Sequence, residues 1–280
     1  MKKGINQWCF PEGTPLQDVF TWSREAGFDA VELNVYNSRG TGLTLDTTVK
    51  EAEEILRQAE RHNIELRSLS TGLLWESPLS SGDESVRERG RKVVQKQLEL
   101  AGAMGMDTIL VVPGVVNEET TYSDCYERSQ RELVSLASVA ERIGVMIGIE
   151  NVWNKFLLSP VEMKRYVDEI QSDYAGVYFD VGNVLQFGYP EQWIRTLGSR
   201  IKKVHVKDFS TAVGNITGFV PLLAGDVNWR EVMKALHDIG YDDVLTAEIS
   251  PYPFSPQGLA MDTGRQLEAI CRSLTPAERK

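Results

Sequence analysis

The 280-residue sequence is poor in the residues that staple or decorate small folds. It has only three cysteines, Cys9, Cys125 and Cys271, odd in number, far apart and without a CxxC pair. That spacing excludes a disulfide scaffold and a thiolate metal site, and it suits a reducing cytoplasm, the expected compartment. Basic residues are in the minority, with 30 Lys and Arg against 40 Asp and Glu, a formal net charge of −10. Nucleic-acid binders carry a basic footprint, so nucleic acid and anionic membrane surfaces are excluded as bulk partners. Long apolar runs are missing. The longest, from Thr108 to Val116, contains Pro113 and Gly114 and is far short of the roughly 20 residues of a membrane-spanning helix. No apolar stretch follows Lys2 and Lys3, so no signal peptide is expected. There is also no low-complexity tract, charge block or Pro/Gly/Ser-rich linker. One domain over residues 1–280 is the expectation.

What the sequence does have is alternation. Short β-branched runs fall at Gly4–Phe10, Ala30–Val35, Ile64–Thr71, Thr108–Pro113, Val145–Asn151, Gly176–Gly182, Ile201–Lys207 and Val244–Ser250. Between and after them lie segments with apolar spacing of three and four: Pro15–Ala26, Thr47–His62, Glu84–Met104, Ser123–Ile143, Pro160–Ile170, Pro190–Leu197, Asn228–Ile239 and Pro256–Leu274. Ser159-Pro160, with Glu162 following, carries a helix-start signal. Eight strands each followed by a helix, at about 35 residues per unit, predict an α/β fold, a single (β/α)8 TIM barrel. A doubly wound open sheet shares the alternation, but no GxGxxG follows the first strand.

Four consecutive strand runs carry polar, metal-ligating residue types near their carboxyl ends. The fifth ends in Glu150, the sixth in Asp180 and the eighth in Glu248, and the seventh carries His205, the only histidine on a predicted strand. A lone acid ending a strand is more often a helix cap or a solvated charge. Four such residues on four consecutive strands are another matter, because the carboxyl ends of barrel strands open onto one face. Carboxylates gathered there repel one another unless a cation intervenes. The mixed O/N set suits one divalent ion, Mn²⁺, Mg²⁺, Co²⁺ or Zn²⁺.

The motifs Ile149-Glu-Asn-Val-Trp-Asn-Lys-Phe156, Tyr178-Phe-Asp-Val-Gly-Asn183, Val204-His-Val-Lys-Asp208, Gly225-Asp-Val-Asn-Trp229 and Leu245-Thr-Ala-Glu248 resemble those of the sugar isomerase/epimerase superfamily of xylose-isomerase-like TIM barrels. The resemblance spans essentially the whole chain, and its nearest pattern is that of the hexulose-6-phosphate isomerase and L-xylulose-5-phosphate 3-epimerase proteins. It implies that Glu150, Asp180, His205 and Glu248 bind one divalent metal, and that Glu150 and Glu248 also serve as catalytic acid and base. Two departures stand out. The free-ketose 3-epimerases place a substrate-contacting histidine where this chain has Asn183, and an acidic residue where it has Leu157 and Leu158. Their substrate recognition does not carry over.

The implied chemistry is epimerisation or isomerisation of a ketose or ketose phosphate. One glutamate removes a proton beside the carbonyl, the metal stabilises the enediolate, and the other glutamate returns the proton. A metal-dependent dehydratase of an inosose- or dehydroshikimate-like substrate uses similar ligands and is the alternative. A non-catalytic sugar-binding barrel is a second. Trp8 and Trp75 are candidate pocket walls, and Asn154, Asn183 and Lys207 are candidate contacts to hydroxyls or phosphate. Lys207 shares His205's face by strand alternation, as does Lys203 lower down, whereas Asp208 points away. The 210–226 segment predicts a long loop able to close over substrate. Homo-oligomerisation is a family tendency that no stripe in this sequence specifies.

Overall fold

The computed structural model describes residues 1–37 and 41–274; the remaining residues of the expected 1–280 domain, 38–40 and 275–280, lie outside the described part. Eight parallel strands form the central sheet: β1 (Lys2–Asn6), β2 (Ala30–Tyr36), β3 (Glu65–Thr71), β4 (Thr108–Val111), β5 (Met146–Glu150), β6 (Ala175–Asp180), β7 (Ile201–Val206) and β8 (Val244–Ala247). Each pairs with the next in sequence, and β1 pairs with both β8 and β2, so the sheet closes on itself. The expected (β/α)8 barrel is the fold.

The outer ring consists of α1 (Leu16–Glu25), α2 (Val49–Arg61), α3 (Glu84–Ala103), α4 (Tyr122–Ile143), α5 (Pro160–Asp168), α6 (Pro190–Leu197), α7 (Trp229–Asp238) and α8 (Pro256–Cys271). Their ends follow local chemistry. Thr48 and Glu51 form a reciprocal capping box on α2. Ser159 accepts from the Glu162 amide, with Pro160 in the first turn of α5. Gly144, at φ +81°, takes the left-handed conformation that ends α4.

Strand alternation sorts the core. Val31, Leu33, Ile147, Ile149, Val177, Phe179, Val204 and Val206 are buried members of the apolar cluster shared with the helices. The alternate positions on the same strands are polar and face the barrel axis: Glu32, Glu150, Tyr178, Asp180, Lys203 and His205, all buried. Gly148 belongs to this inner set. A Cβ there would meet Tyr178 Cβ and Cδ2 at 3.1 Å and the Ile109 carbonyl at 3.2 Å, so its hydrogen leaves room for the tyrosine ring.

Near the amino ends of the strands, Lys203 is 1% exposed and closes the barrel floor. Its Nζ pairs with Asp107 at 2.8 Å and with Asp243, and Arg67 pairs with Asp107 at 2.7 Å. At the other end, strands run shorter than their apolar runs. Trp8 lies in a 3-10 turn, Gln7–Cys9, beyond β1 rather than closing it, because the Asn6 side chain accepts from the Trp8 amide and turns the chain. One-turn helices follow β3 at Leu73–Glu76 and β6 at Val181–Val184. The excursion after β7 is ordered as a short antiparallel pairing, Asp208–Phe209 with Phe219–Val220.

Candidate active site

Glu150 ends β5, Asp180 ends β6, His205 lies next to last in β7 and Glu248 follows β8 by one residue. The Glu248 amide still bonds the Val206 carbonyl at 3.2 Å, which holds it in register with β7. One ligand atom from each of the four lies within 4.8 Å of the others. His205 Nδ1 faces Glu248 Oε2 at 3.3 Å, Glu150 Oε1 at 3.8 Å and Asp180 Oδ2 at 4.0 Å. Asp180 is also a helix cap, since its Oδ1 accepts from the Asn183 amide at 2.8 Å while Oδ2 turns to the cluster.

The imidazole is oriented from below by Glu32. His205 Nε2 is 2.7 Å from Glu32 Oε1, which also accepts from Asn6 Nδ2 at 2.6 Å. The other carboxylate oxygen accepts from Ser68 Oγ at 2.5 Å and from the Tyr178 hydroxyl. Burial raises the Glu32 pKa, but His205 and these hydroxyls outweigh it and hold the carboxyl below its ordinary value. A charged Glu32 accepting from Nε2–H leaves the Nδ1 lone pair for the cluster, the arrangement that carboxylates impose on metal-ligating histidines.

The field at the cluster calls for a cation. Burial disfavours an imidazolium, yet Glu32, Glu150 and Glu248 together raise the His205 pKa well above its usual value. Lys207 Nζ reaches Glu248 Oε2 at 2.7 Å and Asp180 Oδ2 at 3.1 Å, and it sits 5.2 Å from the centre of the Phe219 ring. His205 Nδ1 is buried and makes no hydrogen bond, and Asp180 Oδ2, equally buried, has only the Lys207 ammonium beside it, a costly condition in a protein interior. Three carboxylates and one imidazole, with an unpartnered buried Nδ1 among them, fit one hard or borderline divalent cation. The two glutamates differ. Burial, opposed by His205 and reinforced by Glu248, pushes Glu150 up to about 7. Burial raises Glu248 too, but Lys207 and His205 outweigh it and hold that carboxyl below its ordinary value.

Above the cluster opens a cavity of about 700 Å³. Trp8, Trp75, Asn183 and Lys207, four of the five candidate contacts, line it. Asn154 does not. Its amide donates to the Gly114 carbonyl at 2.7 Å and its Oδ1 accepts from the Phe156 amide at 3.0 Å, so it braces the loop after β5 rather than lining the cavity. Its neighbour Trp153 takes the place at the wall, with Nε1 donating to the Asn183 carbonyl at 2.7 Å. The excursion after β7 contributes Ile216, Thr217 and Phe219 to the lining. Asp208 points away from the axis as alternation requires, accepting from the Val227 amide at 3.1 Å and Trp229 Nε1 at 3.0 Å at the start of α7.

The model of the xylose isomerase-like TIM barrel family matches residues 20–270. The chain belongs to this family. Among similar proteins is the putative L-ribulose-5-phosphate 3-epimerase SgbU of Escherichia coli strain K12, 27% identical over 242 residues, covering 85% of each chain. Among solved structures, an L-ribulose 3-epimerase matches with a TM-score of 0.79 at 18% identity, over 97% of this chain and 95% of that one. A D-tagatose 3-epimerase-like protein matches with a TM-score of 0.79 at 23% identity, over 96% and 97%.

Within this xylose isomerase-like barrel, the residue that sequence reasoning passed over is Glu32. Its signal was present: an acid inside the run Val31-Glu32-Leu33-Asn34-Val35. In an open sheet the polar letters of such a run face water, whereas in a closed barrel they face the axis. No helix among the described residues is long and apolar enough to cross a membrane.

Proposed function

We propose that the chain is an epimerase or isomerase of a ketose, with Glu150 and Glu248 as the proton-transferring pair and Glu150, Asp180, His205 and Glu248 as the holders of one divalent cation. One observation carries this reading. Two carboxylates from strands separated by two others converge on the same imidazole nitrogen, at 3.8 and 3.3 Å, on the floor of an aromatic-walled cavity. The epimerase names of the similar proteins support it.

When bound, the cation supplies Lewis-acid stabilisation of the charge that builds on the substrate's carbonyl and hydroxyl oxygens. The chain's own groups do the proton transfer. Glu248, kept ionised by Lys207, accepts the proton from the carbon beside the carbonyl. Glu150, the carboxyl that burial pushes up to about 7, is the group that returns a proton. Removal from C3 and return to its opposite face gives the epimer, whereas removal from C1 and return to C2 gives the aldose. Positioned acid–base groups of this kind contribute a factor of about 10²–10⁴.

The test is incubation of Mn²⁺- or Mg²⁺-loaded protein with a panel of ketoses in D₂O, followed by NMR. Deuterium at the carbon next to the carbonyl, with a second sugar accumulating, is the expected result. Absence of exchange with every ketose would overturn the reading, and loss of water from the substrate would point to a dehydratase instead.

A further inference from the structure

The far walls of the cavity are aromatic and carry no described positive charge. Trp8, Trp75, Trp153, Phe219 and Tyr252 line it, and Lys207 is the only lysine or arginine among its described lining residues. That ammonium is on the floor, engaged by Glu248 and Asp180. Of two hollows beside it, the one that shares Trp8 and Pro251 is lined by Glu12 and no basic residue among those described, and the one that shares Val152, Trp153 and Asn183 is lined by Lys155.

The loops after β7 and β8 are where TIM barrels commonly build phosphate sites. Here they are built otherwise. The sequence has no Lys or Arg between Lys207 and Arg230, and none between Glu248 and Arg265. What those loops present to the cavity includes Ile216, Phe219, Pro221, Pro251 and Tyr252. A phosphate monoester brings about −1.5 to −2 charges, and proteins receive it with arginine forks, lysines or helix N-termini. The floor beneath is itself acidic. Glu150, Asp180 and Glu248 gather there beside the single ammonium of Lys207.

Size points the same way. About 700 Å³ lies within the range of roughly 300–1,000 Å³ typical of pockets that enclose drug-sized ligands, more than an open-chain ketose of five or six carbons occupies. Trp75 keeps 44% of its surface exposed on this wall, a flat apolar face of the kind on which the C–H face of a sugar ring stacks.

We infer that the substrate is an uncharged ketose extended by a second ring, a keto sugar in glycosidic linkage, whose outer ring packs on the Trp75 side of the cavity, and that sugar phosphates are disfavoured. The inference rests on the ketose reading above and specifies its far end.

A matched set of probes tests it: D-fructose, D-fructose 6-phosphate and isomaltulose, which carry a hydroxyl, a phosphate and a glucosyl group on the same carbon. Binding to the metal-loaded protein is measured by calorimetry. Isomaltulose is expected to bind at least tenfold more tightly than the phosphate, and Trp75→Ala to remove most of that advantage. Raising the salt concentration is expected to improve binding of the phosphate, because screening weakens repulsion. Equal or tighter binding of the phosphate, phosphate affinity that falls with salt, or no gain from the second ring overturns the inference. These outcomes are separable from failure of the ketose reading, which shows as binding without deuterium exchange.

Discussion

His205 Nε2 and Glu32 Oε1 meet 2.7 Å apart in the barrel interior, 173 residues apart in sequence. The contact fixes which imidazole nitrogen faces Glu150, Asp180 and Glu248, so the geometry of the acidic cluster depends on a residue that lies beneath it. Glu32→Gln keeps the shape and removes the charge. Metal affinity, measured by competition with a chelator, is expected to fall about 10–100-fold with the circular dichroism of the fold retained. Unchanged affinity would show that the contact orients nothing.

The two glutamates of the cluster separate on substitution. Glu150→Gln and Glu248→Gln are each expected to lower deuterium exchange into substrate by on the order of 10²–10⁴. Glu248→Gln also leaves Lys207 with Asp180 as its nearer anionic partner. Substantial exchange in either variant would remove that residue from the proton-transferring pair.

Gly148→Ala tests the packing under the site. The added methyl meets the Tyr178 ring at 3.1 Å and the Ile109 carbonyl at 3.2 Å, and overpacking of this kind costs about 1–3 kcal/mol. Urea titration is expected to show a lower midpoint at unchanged slope. Metal affinity is expected to weaken with it, because a displaced Tyr178 no longer donates to Glu32. A wild-type midpoint would mean that the strand accommodates the methyl.

The floor of the barrel is expected to respond asymmetrically. Lys203→Met removes the buried charge and leaves Asp107 and Asp243 partly in water beside Arg67, so the effect on stability is small. The double substitution Asp107→Asn with Asp243→Asn strands a buried ammonium and is expected to cost about 3–5 kcal/mol. Acid should act in the same place. Burial raises the Asp243 carboxyl, but Lys203 and Arg67 outweigh it and hold it below its ordinary value. A carboxyl lowered in the folded state contributes stability above its unfolded pKa of about 3.9, and loses it as pH falls through the folded value. Asp243→Asn is therefore expected to flatten the acid limb of the stability curve, and a limb unchanged in slope would contradict this.

The barrel was legible because each strand run was bounded and followed by a helical pattern, and the four clustered residues because acids at strand ends are conspicuous in apolar runs. Glu32 was not, since a polar letter in the middle of a strand reads like the wet face of an open sheet. Nor was Asn154 legible in its direction. It and Trp153 sit side by side in the loop after β5, and only the bond from Asn154 to the Gly114 carbonyl decides which of them faces the cavity. The helices at Leu73–Glu76 and Val181–Val184 are a single turn long, too short to show a period of 3.6.

The strand alternation described above divides the labour of each strand letter by letter. In β5, Ile147 and Ile149 hold the helices while Gly148 and Glu150 shape the axis; in β7, Val204 and Val206 do the first and Lys203 and His205 the second. Scaffold and chemistry are thus interleaved on one ribbon yet separated by its thickness. A change of substrate can be written in the inward letters alone, leaving the outer seam with the helices untouched. A slip of one residue along any strand exchanges the two alphabets, so misfolding and loss of activity would arrive as a single event.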